Sequence, residues 1–599
     1  MRWCLLLALV TAPLWAAPGR HNLELVGQLP LGPGFNAGVW VHGNAAYVGT
    51  WGSAANCPAL GVKIVDISDP ASPRLVGRAA SHPNTSAEAM VVRRLENSRF
   101  RGDLLAVGLQ SCRDSQAARR GVELFDVSDP GNPRLLSFFD TGSESRGVHE
   151  LDLVVRADGR AFLLLATLAR FRMVEVTDPS NPRQISEWNL GERLGETPSS
   201  NKFVHSALAS ADGAMAFLSY WDAGVIILDI SDPANLRYLG RTGFGSGDEG
   251  NAHSVAVSHD RRTLLTSDEI LDPGNGGYLR VFDISDASLP RQIGRYLGAS
   301  ARNGTDSGTY TIRSPLVSGD LGFLSWYSDG VRVVDLMNRR RPLEVGFYVP
   351  PDNVDPFGAF PSKAEVWGVA LQAERNLILA SDINFGLYLL RPVEPKPARA
   401  VNAADFREDQ PVAPGSIVTL FGQDMAGASD IAFSTPLPMQ LAGTAVRVNG
   451  VAARLFYAGP GQINFLLPEE TAVGTAQVTV ENLGRASSEI SVTVADAAPG
   501  LFTAGGKVAA RRARDHVAVT QAKSGEVIEL YATGLGKLAA STTVMIGGRP
   551  AELLFAGPAP GYDGLYQLNV RVPNGVRGDL EVVVSTAGRF SNAALLTIE

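Results

Sequence analysis

The chain of 599 residues has little cysteine and no excess of basic charge. It contains 3 Cys, and its 53 Lys and Arg against 61 Asp and Glu give a formal net charge of −8. A protein that binds nucleic acid through its surface needs a dominant basic patch. A structural zinc domain needs paired cysteines at short spacing. The composition therefore argues against both classes, and we expect no nucleic-acid partner.

The common catalytic signatures are also missing from the sequence. It contains no P-loop, no dinucleotide-binding glycine fingerprint and no G-x-S-x-G nucleophile elbow. Enzyme families that depend on these motifs are therefore unsupported, and the sequence assigns no catalytic residue.

A long hydrophobic run occurs only at the start of the chain. Arg2 is followed by WCLLLALVTAPLW and then by Ala16 and Ala17. A basic residue, a short apolar segment and small residues predict a signal peptide over residues 1–17, cleaved near Ala16 or Ala17. The alternative, a membrane anchor, is disfavoured because the run is too short to cross a bilayer. We expect a protein without a transmembrane segment that is secreted, extracellular or periplasmic, or attached to the cell surface.

Two cysteines, Cys57 and Cys112, remain after the signal peptide. Each lies in the loop before the repeated phrase of its own sequence copy, the first and the second. Equivalent loops of neighbouring repeats lie side by side, so a disulfide is geometrically plausible in an oxidising compartment. The alternative is two free thiols.

What the chain has in abundance is an internal repeat. An apolar run ending in an acid is followed by a turn of the type SDPxxP and a shorter apolar run. The copies lie at residues 61–78, 121–139, 171–188, 224–241, 279–296, 330–348 and 386–395. A period of this length is typical of stacked supersecondary units.

Each repeat predicts four short antiparallel strands. In the fourth copy the apolar runs are residues 205–210, 214–220, 225–230 and 237–241, separated by turn residues. Four such strands repeated radially form a β-propeller blade. The seventh copy lacks its outer strand, and residues 22–30 match the missing text. The sequence therefore predicts an all-β fold that begins with a seven-bladed propeller over residues 22–392, closed by the N-terminal strand.

The conspicuous acids of the repeat are interpreted as turn formers. Asp69, Asp129 and Asp232 each precede or begin a turn that contains proline. An aspartate can accept a hydrogen bond from the backbone two residues further on, and proline fixes the turn dihedral.

The repeat resembles a known family. The phrases KIVDISDP, LFDVSDP, IILDISDP and VFDISD are similar to the LVIVD repeats of secreted and surface proteins of bacteria and archaea. The sixth copy departs from the pattern, with LMNRRRP in place of the SDP turn. The resemblance implies a propeller outside the cell, and it implies no particular reaction.

The last third of the chain contains a second, unrelated repeat. Residues 393–402 predict a linker rich in proline and alanine. Alternating strands then predict two immunoglobulin-like β-sandwich modules, residues 403–496 and 497–599. The second, with IGGRPAELLFAGPAPG, GLYQLNVRVP and FSNAALLTIE, resembles an uncharacterised C-terminal domain of secreted proteins of acidobacterial type.

Alignment of the repeats gives one candidate site. His149, His205 and His253 occupy the same position at the start of three consecutive innermost strands, and Glu88 lies in the same register. Ala37, Tyr310 and Trp367 are assigned to this position in the first, sixth and seventh copies. Three imidazoles and a carboxylate are a ligand set for a divalent transition metal such as zinc, copper or iron. The alternative is that these side chains bond to neighbouring backbone and hold the blades together.

The loops at the same end of the propeller predict a ligand-binding mouth around the channel. Besides Trp367, the residues assigned to it are Trp221, Asp222, Asp268, Glu269, Asp329 and Asp382. The favoured function is a binding scaffold for a protein, peptide or glycan. The alternative is an extracytoplasmic metalloenzyme in which the metal activates water or oxygen.

Overall fold

A computed structural model describes residues 19–599, apart from residues 33, 114, 116, 144, 197, 198, 200, 246, 247, 249, 272–275 and 299–307. The predicted signal peptide, residues 1–17, lies outside the described residues. The fold is all-β. The described chain forms two compact units, one ending at Pro392 and the other running from Val393 to Glu599. Among the described residues, no helix has the length and apolar character needed to cross a membrane.

The N-terminal unit consists of antiparallel sheets, of which the described residues form seven, named I to VII in chain order. Two strands precede sheet I: β1 (Arg20–His21) and β2 (Leu23–Pro30). Sheets I to III contain β3 (Asn36–His42), β4 (Ala45–Thr50), β5 (Val62–Asp66), β6 (Arg74–Ala79); β7 (Thr85–Ser86), β8 (Met90–Glu96), β9 (Arg101–Ser111), β10 (Gly121–Asp126), β11 (Arg134–Asp140); and β12 (Glu150–Val155), β13 (Ala161–Ala166), β14 (Phe171–Glu175), β15 (Arg183–Trp188).

Sheets IV to VII repeat this order. They contain β16 (Ser206–Ala209), β17 (Met215–Ser219), β18 (Val225–Asp229), β19 (Arg237–Arg241); β20 (Ala252–Val257), β21 (Thr263–Asp268), β22 (Leu279–Asp283), β23 (Arg291–Tyr296); β24 (Ser314–Ser318), β25 (Leu321–Ser325), β26 (Val331–Asp335), β27 (Leu343–Tyr348); and β28 (Val366–Gln372), β29 (Leu377–Asp382), β30 (Gly386–Pro392). A short helix, α1 (Leu190–Leu194), and a 3₁₀ turn (Ala373–Arg375) lie in the connections.

The strand pattern follows from how the sheets are covered. The second strands, such as β13 with the sequence AFLLLA, are buried on both faces, because each sheet packs against a neighbour on either side. Such strands become continuous apolar runs instead of alternating ones. The outer strands, such as β6, begin with an exposed arginine and are more exposed along their length.

The first strands of the sheets lie next to one another in a closed order. β3, β8, β12, β16, β20, β24 and β28 are successive neighbours, and β28 lies beside β3. Strand β2 pairs with β30 from Leu23 opposite Pro392 to Pro30 opposite Gly386, and so provides the outer strand of sheet VII. The beginning and the end of the unit therefore meet in one sheet, which leaves that edge covered.

The C-terminal unit begins with a strand where a linker was expected. β31 (Lys396–Asn402) pairs with β32 (Ile417–Gln423), so residues 396–402 belong to the folded unit. The prediction of a linker over 393–402 is wrong because KPARAVN can form an edge strand despite its proline, which pairs at a bulge. The other strands of this half are β33 (Asp430–Ile431), β34 (Thr444–Val448), β35 (Val451–Ala452), β36 (Arg454–Ala458), β37 (Gln462–Leu466), β38 (Gly474–Asn482), β39 (Arg485–Ala486) and β40 (Ile490–Val494).

The second half of the C-terminal unit comprises the strands of residues 500–598. Hydrogen bonds link these strands into one continuous network. Its strands are β41 (Gly500–Leu501), β42 (Thr503–Ala504), β43 (Lys507–Val508), β44 (Ala510–Arg512), β45 (Ala518–Val519), β46 (Gln521–Ala522), β47 (Val527–Thr533), β48 (Thr543–Ile546), β49 (Arg549–Pro558), β50 (Tyr566–Arg571), β51 (Gly578–Thr586), β52 (Arg589–Phe590) and β53 (Ala594–Ile598), with a 3₁₀ turn at Gly536–Ser541. The long strand β49 pairs with β48 at its start and with β50 along the rest. The immunoglobulin-like character of the two modules stays a prediction.

Candidate functional site

One residue per sheet occupies the start of the first strand, and we call this set the axial ring. Its members are Ala37, Glu88, His149, His205, His253, Arg313 and Trp367. The backbone N–H of His205 donates to Ser219 at 2.7 Å, and that of Arg313 makes the equivalent bond to Ser325 at 2.9 Å. Arg313 therefore holds the sheet VI position that the sequence had assigned to Tyr310. The first strand of sheet VI begins at Ser314, later than the repeat spacing predicts. The spacing therefore assigned this position to a residue three places too early in the sequence.

The three histidines form a contiguous row along one side of the axial ring. The Nε2 atoms of His149 and His205 are 2.9 Å apart, at hydrogen-bond distance. The ring centroids of His205 and His253 are 3.9 Å apart. The Nδ1 atom of His149 lies 3.1 Å from Oε1 of Gln110, and that of His253 lies 2.7 Å from Oγ of Ser254. The repeat alignment thus identified residues that are real neighbours.

Arg313 reaches across the ring from sheet VI to sheet II. Its Nη2 donates to Oε1 of Glu88 at 2.5 Å and lies 3.8 Å from Glu150 of sheet III. Its guanidinium also stacks on Trp367, with Cζ 3.8 Å from the ring centroid. Both Arg313 and Glu88 are only 3% exposed. A buried ion pair of this kind is costly to desolvate, and it becomes far more costly when one partner is removed.

Protonation of the ring is governed by its burial. Burial lowers the pKa of His149, His205 and His253, and the positive charge of Arg313 lowers all three further. The imidazoles are therefore neutral at pH 7. Burial also raises the pKa of Glu150 to about 8, helped by the negative charge of Glu88. The ring thus holds its ionic charge chiefly in the pair of Arg313 and Glu88.

The predicted metal centre is not supported by this arrangement. Among the residues that the structure describes, no group of three or more His, Cys, Asp or Glu side chains is placed to hold a metal ion. The Nε2 atoms of His149 and His205 face each other instead of a common point. Glu88, expected as the carboxylate ligand, is paired with Arg313. A protein cation therefore occupies the partner position that a metal would need.

Two of the residues assigned to the mouth lie against the ring. The indole of Trp221 is 5.3 Å from the imidazole of His205 and stacks on Phe203 at 5.0 Å. Oε1 of Glu269 lies 3.7 Å from Nε2 of His253 and accepts a hydrogen bond from the hydroxyl of Tyr327. Trp367 is a ring member itself. These residues form the walls of the candidate site.

Three acids assigned to the mouth have structural partners instead. Asp268 is fully buried and pairs with Arg280 at 2.5 Å, and burial raises its pKa to about 7. Asp329 pairs with Arg332 at 3.0 Å. Asp382 accepts hydrogen bonds from the backbone N–H groups of Glu365, Asn384 and Phe385. These acids fix loops within their own part of the unit.

The remaining mouth residue, Asp222, is exposed beside Trp221. Its backbone N–H donates to the carbonyl of Asn201 at 3.0 Å. Its side chain also bonds to Asn201, and the assignment of Asp222 to a ligand-binding mouth stays a prediction.

Sequence reasoning missed three residues at the site: Glu150, Arg313 and Tyr327. A signal for Tyr327 was available, since LSWYSDG aligns with LSYWDAG and puts it in register with Trp221. Both residues have positive φ, +49° for Trp221 and +31° for Tyr327, and both bridge to the next sheet. Nothing local marks Arg313, because its partner Glu88 is 225 residues away in the sequence.

An aromatic cluster covers the axial ring where sheets VII and I meet. Trp51 lies 5.8 Å from Trp367 and 5.3 Å from Phe35, and Phe360 lies 5.9 Å from Trp51. Phe35 and Trp367 are buried, whereas Trp51 and Phe360 are half-buried. The site thus has aromatic side chains on two sides, here and at Trp221.

The disulfide lies in the loop that follows Trp51. Cys57 and Cys112 are bonded with an S–S distance of 2.10 Å and a Cα–Cα distance of 5.8 Å. A Cβ added at Gly52 would lie 2.6 Å from Sγ of Cys112, so the loop packs closely on the bridge. The bridge ties the loops of sheets I and II together beside the site.

The comparisons with known proteins bear on the repeat. The family model for the LVIVD repeat matches residues 33–80 and 210–242, which correspond to sheet I and to most of sheet IV. The chain carries LVIVD repeats. These repeats are consistent with the cyclic arrangement of small antiparallel sheets described above.

No curated protein matches the sequence. Among solved structures, Raptor from Chaetomium thermophilum is similar over 63% of this chain, with 13% identity and a TM-score of 0.43. The similarity covers 30% of the Raptor chain, less than a third of its length. At this identity and TM-score it says nothing about function.

Proposed function

We propose that this LVIVD-repeat protein is an extracytoplasmic binding scaffold. The seven sheets are the blades of a β-propeller, and a ligand binds at the end of its channel where the axial ring lies. The C-terminal unit, from Val393 onward, acts as a spacer or attachment module. No reaction is assigned to the protein.

The observation that carries the proposal is the concentration of buried polar groups at the ring. Glu88, His205, His253 and Arg313 are each less than a tenth exposed. Burying polar groups is costly, and a stable propeller could fill these positions with apolar side chains. Ligand sites are concave, with few polar groups among apolar and aromatic ones. The ring with its aromatic walls has this composition.

Two features support an address outside the cytoplasm. The apolar segment near the start of the chain has the composition of a signal peptide. The bond between Cys57 and Cys112 is stable in an oxidising compartment. Mass measurement of protein recovered from the periplasm and the medium tests this part. Recovery of an uncleaved, reduced chain from the cytoplasm alone would refute it.

Imidazole NMR of the full chain tests the binding function without assuming a ligand class. The protein is labelled with ¹⁵N-histidine and mixed with separate sets of sugars, carboxylates, amines and short peptides. We expect at least one set to shift the signals of His149, His205 and His253 together. His259 is the internal control, because it is exposed and follows the far end of β20. If no set shifts the three ring signals, the proposed function is wrong.

A further inference from the structure

Four buried polar atoms of the axial ring have no hydrogen-bond partner in the protein. They are Oε2 of Glu88, Nδ1 of His205, Nε of Arg313 and Nε1 of Trp367. The residues that carry them are 3%, 6%, 3% and 5% exposed. Buried polar atoms in native proteins nearly always have a partner, and an orphaned one calls for an explanation. Four on one ring, at the candidate site, indicate a bound molecule that completes them.

Nδ1 of His205 can donate or accept, depending on the tautomer, so the chemistry of the other three atoms limits that molecule. Nε of Arg313 and Nε1 of Trp367 are donors, whereas Oε2 of Glu88 is an acceptor. A carboxylate would suit the two donors but would be repelled by Glu88. An ammonium group would suit Glu88 but would face the two donors. A hydroxyl group donates and accepts at once, so a ligand with several hydroxyl groups satisfies all three atoms.

Charge leads to the same ligand class. The positive charge of Arg313 is balanced by Glu88 at 2.5 Å. An ionic ligand would add an uncompensated charge at a buried position, which is strongly unfavourable in proteins. A neutral ligand leaves the existing pair balanced.

The surroundings fit a compact ring-shaped ligand. Trp51 and Trp221 are both half-buried, and they contact the axial ring from sheets I and IV. Aromatic faces offer apolar area that suits the C–H faces of a sugar. The ring is also reached by solvent beside sheet III, since the side chains of His149 and Glu150 are 14% and 22% exposed.

We propose that the axial ring binds a neutral sugar at the end of a glycan, with its hydroxyl groups on Glu88, Arg313 and Trp367 and its faces against Trp51 and Trp221. The inference rests on the proposed function and names its ligand class. A peptide is the less favoured ligand, because extended peptides are recognised along a strand edge or a groove. The orphaned atoms here belong to residues at equivalent positions in different sheets.

A printed array of neutral glycans, acidic glycans and peptides tests the proposal on the full chain, followed by calorimetric titration of the strongest binder. The test variants are Trp51→Leu and Trp221→Asn, the latter chosen because asparagine tolerates the positive φ at this position. Tyr238→Leu is the control, since Tyr238 is an exposed aromatic on the outer strand β19. Circular dichroism and the thermal midpoint confirm that each variant is folded.

We expect a neutral glycan to bind, and each tryptophan variant to weaken its Kd about tenfold, which corresponds to ~1.4 kcal/mol. The control variant keeps the affinity of the original chain. Binding of only acidic glycans or only peptides, with shifts at the three histidines, would overturn the sugar proposal and leave the binding function standing. A neutral glycan that binds the tryptophan variants with unchanged Kd would also overturn it. If nothing binds and no ligand set shifts the histidine signals, both proposals fail.

Discussion

At the scale of single residues, the axial ring holds buried polar side chains at positions where apolar side chains would cost less free energy. Arg313 and Glu88 form a buried pair across the unit, and the histidine row between Glu88 and Glu269 is held neutral. Each charged group is tolerated because a neighbour partners part of it, as Arg313 does for Glu88. Changes of pH or of one side chain should therefore be felt strongly here.

The histidine row predicts a dependence of stability on pH. The folded-state pKa of His205 is well below its usual range, because of burial first and then of the neighbouring His253, His149 and Arg313. The unfolded chain therefore binds more protons than the folded chain when the pH falls below about 6.5. For each such histidine, the free energy of unfolding then falls by up to ~1.4 kcal/mol per pH unit. His205→Gln should reduce this loss between pH 7.5 and pH 5.5, as measured by urea unfolding.

The matched control for this measurement is His259→Gln, because His259 is exposed. It should leave the pH profile of the original chain unchanged. Glu150 and Glu269 change the stability with pH in the opposite sense, since burial raises the pKa of each. Both carboxyl groups are present in every variant, so the comparison between variants isolates the imidazole. Parallel pH profiles for His205→Gln and the original chain would contradict the argument.

The pair across the ring predicts a strong effect of removing one charge. Arg313→Met leaves Glu88 buried and unpaired, and should lower the free energy of unfolding of the N-terminal unit by about 3–5 kcal/mol. The double variant Glu88→Gln with Arg313→Met removes the stranded charge and should recover part of the loss. Equal stability of the single and double variants in urea would show that the pair is not electrostatically coupled.

At the scale of elements, the SDP turn has two tasks. Asp69 accepts a hydrogen bond from the N–H of Ala71 at 3.0 Å, as a turn former does. The carbonyl of the following residue, Pro70, then contacts Gly27 on the outer strand of the preceding sheet, where an added Cβ would lie 2.0 Å away.

The same contact recurs around the unit. In sheets IV and V, glycines 240 and 294 meet the carbonyls of residues 287 and 339, where an added Cβ would lie at 2.3 Å and 2.1 Å. In sheets II and III the glycine is replaced by a serine whose hydroxyl donates to the turn carbonyl: Ser137 to Pro179 at 2.5 Å and Ser186 to Pro233 at 2.6 Å. At these junctions the repeated turn thus joins one sheet to the next as well as reversing the chain.

This contact predicts that a side chain at Gly27 opens the seam between sheets VII and I. Gly27→Val forces the outer strand β2 away from Pro70, and overpacking of this kind costs about 1–3 kcal/mol. Differential scanning calorimetry should show a lower Tm for the N-terminal unit. Gly243→Ala is the control, because a Cβ at Gly243 meets nothing within 4 Å. An unchanged Tm for Gly27→Val would mean that β2 does not hold the seam.

At the scale of the whole molecule, the chain contains two units with separate hydrophobic cores. One core of the C-terminal unit is built from residues such as Leu530, Leu568 and Val584, and the sheets of the N-terminal unit have their own clusters between neighbours. Units with separate cores can unfold separately.

The position of the disulfide makes this separation measurable. Cys57 and Cys112 belong to the N-terminal unit, and the C-terminal unit contains no cysteine. Two thermal transitions are expected, and reductant should lower only one of them, by an amount equivalent to ~2–4 kcal/mol. Residues 393–599 expressed alone should reproduce the transition that reductant leaves unchanged. A single transition that shifts as a whole on reduction would contradict two independent units.

The sequence also predicted the position of the candidate site, but only part of its chemistry. His149, His205 and His253 were found because each begins the same strand of its repeat, and a repeat preserves register. Arg313 was missed because the first strand of the sixth repeat begins later in its copy than in the other repeats. The linker over 393–402 was misjudged, since proline and alanine suggest a flexible segment while the pairing of β31 with β32 depends on a strand some twenty residues further on.

The sequence by itself determined the strands, their turns and the order of the sheets. These depend on alternation of apolar residues and on aspartate, proline and glycine at turns, which act over a few residues. The tertiary structure decided what the histidines do: they bond to each other, and Arg313 crosses the ring to Glu88 where a metal had been expected. The physical reason is distance along the chain, because side chains more than fifty and more than two hundred residues apart meet only when the sheets close into a cycle.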